Sequence, residues 1–489
     1  MTRINTNVSA LIARHQLSQA NNNLNVRLER LSTRLRINRG SDDPAGLIIS
    51  ERLRSEITGI SQVVDNSERA INVIATAEAA LSEVSTLLTD IKALIIEASN
   101  EGAFSKEELD ANQLQIDSAI ESINRIANTT SFAGLKLLNG NQDYILSGVN
   151  STEVEDIAVT GANFGDDASI PVEIEVLNSA ETAQLFISGN TAGAAGTLLS
   201  SVSFEVRGVK GSEVLSFVSG TPLSSVVFAV NQVTQVTGVS ASLVSALDPT
   251  SGLVLNSTEM GSEAFVSVEK INDGKGAFFQ TFSAQGGSSV TRDTGEDVLA
   301  LINGNLALGQ GRKVSLRSTT LNIELNLTRT AAQNATDYRF DITGGGSFYQ
   351  IGTRINAFEH IGFGIPSITA NHLGNEERGF LNSIITGGAN SLLTGNHNEA
   401  LDIIDTAIQQ TASLRGRLGA FERNTLQTTI RSQQIALENI TASESQIRDA
   451  DFAAETAELT RAQILVNAGT STLALANNSA SSVLSLLGG

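Results

Sequence analysis

Residues able to carry catalytic chemistry are scarce in this chain. It has no cysteine and only four histidines, His15, His360, His372 and His397, which excludes disulfides, thiol nucleophiles, iron–sulfur clusters and Cys-type zinc sites. The last three histidines are too far apart for H-E-x-x-H, the spacing that puts two zinc ligands one helical turn apart beside a general base. Gly304-Asn305-Leu306-Ala307-Leu308-Gly309-Gln310 has the glycine spacing of a phosphate loop. It lacks the Lys and Ser/Thr that would meet phosphate and Mg²⁺, so it reads as a turn. No paired acids or Ser/His/Asp order stand out, and neither enzyme activity nor a cofactor or metal is expected.

Charge narrows the partners. The formal net charge is −20, which disfavours nucleic acid, because binding a polyanion needs a concentrated cationic surface. The run Arg30, Arg34, Arg36 and Arg39 is interleaved by Leu28, Leu31 and Leu35, the pattern of a solvated or subunit-contacting helix face. Nothing after Arg461 is charged, yet polar residues interrupt the apolar positions there, so no run of about 18 apolar residues spans a bilayer. Arg14, His15 and Gln16 fall where a signal peptide would need its apolar stretch, and no cleavable signal is expected.

Glycine and proline locate the elements behind these residues. Of the 42 glycines, 33 fall between 134 and 395, and proline is absent from 45 to 170 and after 366. The flanks therefore read as helix and the middle as strands and turns. Both flanks carry apolar repeats with steps of three and four or of seven. The first holds Leu24, Leu28, Leu31 and Leu35, then Ile71, Ile74, Leu81, Val84, Leu88 and Ile91. The last holds Leu426, Ile430, Leu437 and Ile440, then Phe452, Leu459, Val466 and Leu473. These are coiled-coil seams. Asn38 to Pro44 should end one helix near 38 and start another near 44, with an acid as cap and Pro at the first helical position. A third helix should carry Leu109, Ile116, Ile120, Ile123 and Ala127. From about 170 the period falls to two, as in Val172, Ile174 and Val176 against Glu173 and Glu175, marking half-buried strands. The fold class is therefore α+β and multidomain. A rod of terminal α-helical coiled coil, its two flanks side by side, carries an inserted β-rich central domain.

At the two ends the sequence becomes specific. Ile4-Asn5-Thr6-Asn7, the run from Leu28 to Asn38, and Asp42-Asp43-Pro44-Ala45-Gly46 resemble the N-terminal signature of bacterial flagellins. Arg448-Asp449-Ala450-Asp451-Phe452, Arg461-Ala462-Gln463-Ile464-Leu465, Ala468-Gly469-Thr470-Ser471 and Val483-Leu484-Ser485-Leu486-Leu487 resemble the C-terminal one. The likeness covers roughly the first 140 and last 100 residues. It departs at Arg34, where the family commonly has Gly. In the middle only Phe348-Tyr349-Gln350-Ile351-Gly352 looks like a family strand, which puts an insertion at about 166 to 344.

The resemblance implies a subunit of the extracellular flagellar filament, self-assembling through its terminal helices and secreted without a cleaved signal. Implied partners are further copies of the chain, the export apparatus and its chaperone, and the filament cap and hook–filament junction proteins, with no nucleic acid or membrane. It implies arms at 1–43 and 452–489, a rod at 44–165 and 345–451 with a small β region, and a variable outer domain at 166–344. Assembly contacts are expected at Leu24, Leu28, Leu31, Leu35, Phe452, Leu459, Val466 and Leu473. The alternatives are a hook–filament junction protein, or a flagellin whose outer domain adds an adhesive or enzymatic role. Flagellins sensed by the family's Toll-like receptor carry an anchoring arginine where this chain has Asp90, and often a Glu where it has Gln115. Thr89 and Leu94 lie in the same segment, and weak sensing is expected.

Overall fold

The computed structural model describes residues 6–100, 102, 105–165, 167–188, 196–245, 248, 251–271, 279–334, 337–356 and 359–487, with side chains up to Asn478 at the C-terminal end. Ile4, Asn5 and Asp166, which entered the sequence reading, and the side chains of Val483 to Leu487 lie outside this description. Nine α-helices occur among the described residues: α1 (Val8–Thr33), α2 (Pro44–Ala98), α3 (Lys106–Thr129), α4 (Leu223–Gln232), α5 (Thr234–Thr237), α6 (Arg329–Gln333), α7 (His397–Phe421), α8 (Gln427–Arg448) and α9 (Phe452–Leu487). A π-turn, Glu422–Leu426, joins α7 to α8. The chain divides into two compact units: Met1–Arg69, Ile351–Arg354 and Arg423–Gly489 form one, and Ala70–Gln350 with Ile355–Glu422 form the other.

The helix starts follow the capping residues. Asp43 Oδ1 accepts the amide of Gly46 at 2.9 Å, and Pro44 opens α2 behind it. Ser105 and Glu108 close a reciprocal capping box on α3, satisfying two amides that a helix start leaves open. The first helix stops at Thr33 rather than near 38. Arg34 sits in the left-handed region, φ 63° and ψ 13°, which ends the helix and takes Leu35 out of it.

In the second unit the α2 seam is dry. Ile74, Leu81, Val84, Leu88 and Ile91 are fully buried, as are Ile116, Ile120, Ile123 and Ala127 of α3 and Ile403, Ile404 and Leu418 of α7. Ile71 is half-buried. Lys92 pairs with Asp405 at 2.5 Å, fixing α2 against α7. The strands of this unit form two cores. One holds Val172, Ile174, Ile323, Leu325 and Phe340 between a five-stranded and a four-stranded antiparallel sheet. Its strands Tyr144–Ser147 and Val154–Ala162 precede residue 166 and pair with Asp337–Gly345 and Leu321–Leu327. The second core, within 183–290, packs Phe204, Val206, Val226, Val230, Leu253 and Leu255 between two four-stranded sheets and α4. It is an insertion within an insertion: the chain leaves and returns beside itself, with Glu181 and Glu296 exchanging both backbone hydrogen bonds at 2.9 and 3.1 Å. Strand Ser347–Gln350, which holds most of the family-like motif, pairs with His360–Phe363. Gly304, at φ 73°, lies in the turn between two short strands.

Candidate assembly interface

The terminal helices of the first unit pair antiparallel. At one end the Asn7 side chain caps α1 by accepting the amide of Ala10 at 3.0 Å, and its Nδ2 donates to the Ala476 carbonyl at 2.9 Å. Midway, Gly469 faces Leu17 so closely that a Cβ built there would lie 3.5 Å from the Leu17 Cβ. At the far end Arg27 Nη1 donates to both Glu455 carboxylate oxygens, at 3.0 and 2.9 Å, and Arg30 Nη1 reaches Oε1 at 3.1 Å. Glu455 is 7% exposed. Burial alone would raise its pKa, but the hydrogen bonds and charges of Arg27 and Arg30 together outweigh it and hold the carboxyl below its ordinary range.

Small residues, more than the leucines, make this seam. Among the described residues, Ala13, Ala20 and Ala462 are its buried apolar side chains. Leu17, Leu24 and Leu31 of α1, and Leu459, Val466 and Leu473 of α9, are half-buried. Leu28 points elsewhere, 48% exposed, and Phe452 is 68% exposed. Neither belongs to the pairing seam within one subunit. Phe452 is the first residue of α9, just after the cap Asp451, whose Oδ1 accepts the amides of Ala453 and Ala454 at 2.9 and 3.1 Å.

Two linkers clasp each other at the base of the pair. Leu35 and Asp449 form an antiparallel bridge. Arg36 N–H donates to Arg448 O at 2.7 Å, and Ala450 N–H donates to Arg34 O at 3.0 Å. Arg448 also reaches Glu51 of α2 at 2.6 Å. Ile37 is buried against Gly46, where an added Cβ would come 2.7 Å from the Ile37 Cδ1 and 2.5 Å from the Asp43 carboxylate. The backbone amides of Arg39 and Asn38 bind Asp42 and hold its carboxyl below the usual range. The two terminal motifs are thus one folded element, each supplying half of the clasp.

Outside the seam, apolar side chains remain exposed among polar ones. Val8, Leu11, Ile12 and Leu28 of α1, and Phe452, Ile464, Leu465 and Leu475 of α9, are exposed, Leu475 to 70%. The remaining sequence candidates divide between the units. Leu426 is fully buried, whereas Ile430, Leu437 and Ile440 are half-buried on α8, which has no buried residue. On α2, Thr89 and Asp90 are exposed and Leu94 is half-buried, while Gln115 of α3 is exposed. Sequence reasoning missed Arg27 and Glu455 as partners, and Ala13, Ala20 and Ala462 as seam. Among the described residues there is no helix long and apolar enough to cross a membrane and no cluster of three His, Cys, Asp or Glu placed to hold a metal.

Comparison with known proteins follows the same division. The family model of the bacterial flagellin N-terminal helical region matches residues 4–143, and that of the C-terminal helical region matches 401–487. A third, the flagellin hook IN motif, matches 203–259. That match lies in the second β core, where the sequence reading found no family pattern. Flagellin B of Helicobacter pylori (strain J99 / ATCC 700824) is 29% identical over 532 residues, and Flagellin of Salmonella rubislaw is 28% identical over 507, each alignment covering 99% of both chains. Flagellar hook associated protein-3 of Legionella pneumophila is 13% identical over 81% of this chain and 98% of that one, at a TM-score of 0.31, too loose a superposition to bear on the fold.

Proposed function

Since the chain belongs to the bacterial flagellin family and is a structural subunit of the extracellular flagellar filament, we propose that it enters that filament through the outward faces of α1 and α9. The observation that carries this is the exposure of Val8, Leu11, Ile12, Ile464, Leu465 and Leu475 outside the pairing seam of the two helices. Several large apolar side chains left in water on both arms offer contacts for other chains. Covering one such side chain yields about 1.5–3 kcal/mol. No charge after Arg461 opposes close packing.

Contacts of this kind join unlike patches on successive copies and so propagate as an open helix. The pair alone buries few side chains, while ordering backbone costs roughly 1–2 kcal/mol per residue. The arms therefore pair only weakly in the free subunit and are fixed by polymerisation, so the subunit stays soluble until a growing end is offered. The rod helices α2, α3, α7 and α8 lie within 44–165 and 345–451. Zero Cys and five Pro suit transit as an unfolded chain, exported uncleaved with its chaperone. The growing filament would meet the cap and hook–filament junction proteins.

Leu475→Asp tests the reading, because it charges the outward face without touching the seam. Purified monomer should keep its helicity and melting temperature, and elongation from filament seeds should fall by at least about tenfold, since a charge buried without a partner costs several kcal/mol. Elongation at the unmodified rate would overturn the assignment. Leu473→Asp, on the half-buried seam side, should weaken both the helix pair and assembly.

A further inference from the structure

We propose that Glu455, held by Arg27 and Arg30, sets the register in which α1 and α9 pair, a role that rests on reading these helices as the assembling arms. The apolar seam cannot set it alone. On α1 it alternates small and large, Ala13, Leu17, Ala20, Leu24. On α9 it runs Leu459, Ala462, Val466, Gly469, Leu473, Ala476. In the native register Leu17 faces Gly469, and sliding one helix by seven residues, about 10.5 Å, sets Leu17 opposite Ala462 or Ala476, again large against small, so packing discriminates little between registers.

Other polar contacts carry little sequence information. The hydrogen bond from Asn7 to α9 goes to the Ala476 carbonyl, and the clasp bonds, including that from the Arg36 guanidinium to Ile447, end on backbone carbonyls. Between Arg14 and Arg27 no residue of α1 is an acid, Lys or Arg, and after Arg461 none of α9 is. The Arg27–Glu455–Arg30 layer is thus the charged stop in an otherwise repetitive seam. One heptad of slip would bring Glu455 beside Ala20 and Asn23, leaving a buried carboxylate without a cation. The opposite slip would set it against Arg34 and Ile37, where α1 has ended. A single polar layer in a coiled coil fixes register in this way, at some expense in stability.

The cysteine-free sequence allows a direct test on the full-length monomer. Leu17→Cys with Gly469→Cys reports the native register, because the two Cβ positions lie 3.5 Å apart, within reach of a disulfide. Leu17→Cys with Ala462→Cys, or with Ala476→Cys, reports a one-heptad slip either way. With Glu455 present only the first pair should cross-link. In Glu455→Gln the slipped cross-links should rise at least about tenfold and the native one should fall. Replacing all three charged residues by Met should restore helicity and thermal stability but leave the register mixed, an outcome that separates register-setting from simple support. Exclusive 17–469 cross-linking in Glu455→Gln would overturn the proposal. If that variant loses its arm helicity, the same cross-linking result in the triple Met variant decides. These readouts need no filament, so normal assembly of Leu475→Asp would sink the assembly reading without touching this one.

Discussion

Arg34→Gly should tighten the clasp between the two linkers. Arg34 ends α1 at φ 63° and ψ 13°, a conformation that costs a residue with a Cβ roughly 1–2 kcal/mol and glycine almost nothing. Its side chain is exposed, so truncation removes little packing. Against the gain stands the greater freedom of glycine in the unfolded chain, worth about 0.5–1 kcal/mol. The net stabilisation is therefore about 0.5–1 kcal/mol, expressed where the Arg34 carbonyl receives the Ala450 amide and the Arg36 amide meets Arg448. Native-state hydrogen exchange reads it directly: the Ala450 and Arg36 amides should exchange about two- to fivefold more slowly, if they open locally. Arg34→Ala is the control, since it removes the guanidinium but keeps the Cβ, and it should leave exchange unchanged. Unchanged or faster exchange in the glycine variant would refute the strain argument. Equal slowing in both variants would assign the effect to charge instead.

Excising 182–294 and joining Glu181 to Gly295 through a short Gly-Ser bridge should leave a chain that folds and still polymerises, because the crossing strands already exchange hydrogen bonds there. Loss of the first β core, seen as loss of the protected amides of Val172 and Ile323, would show that the second core supports the first. Asp90 is exposed on α2, where flagellins sensed by the family's Toll-like receptor carry an anchoring arginine. Monomer should stimulate reporter cells weakly, and Asp90→Arg should recover at least about tenfold, the scale of an arginine hot spot. Unmodified monomer as potent as a strongly stimulatory flagellin would refute this.

Local signals wrote much of this fold into the sequence. Asp43-Pro44 and Ser105 with Glu108 announce helix starts through chemistry contained within four residues, and the α2 seam repeats large side chains over about six turns. The α1 seam was harder, because its buried members are Ala13 and Ala20. Alanine adds little hydrophobic contrast, so the periodicity favours the leucines and includes Leu28, which the helix turns outward, and Leu35, which Arg34 puts beyond the helix. The two β cores share one period-two pattern. What separates them is pairing between residues as distant as Val154 and Leu327, and period alone holds no information on partner.

The same limit concealed the charged layer. Arg27 and Glu455 lie 428 residues apart, and each taken singly looks like an ordinary surface residue of an amphipathic helix. Burial reverses that reading once the arms are antiparallel, because a carboxylate can enter the seam only where guanidinium groups await it. A repetitive seam gives the arms adhesion and the charged layer gives them position. An open polymer requires both: small errors of register between otherwise adhesive helices would repeat along every subunit added after them.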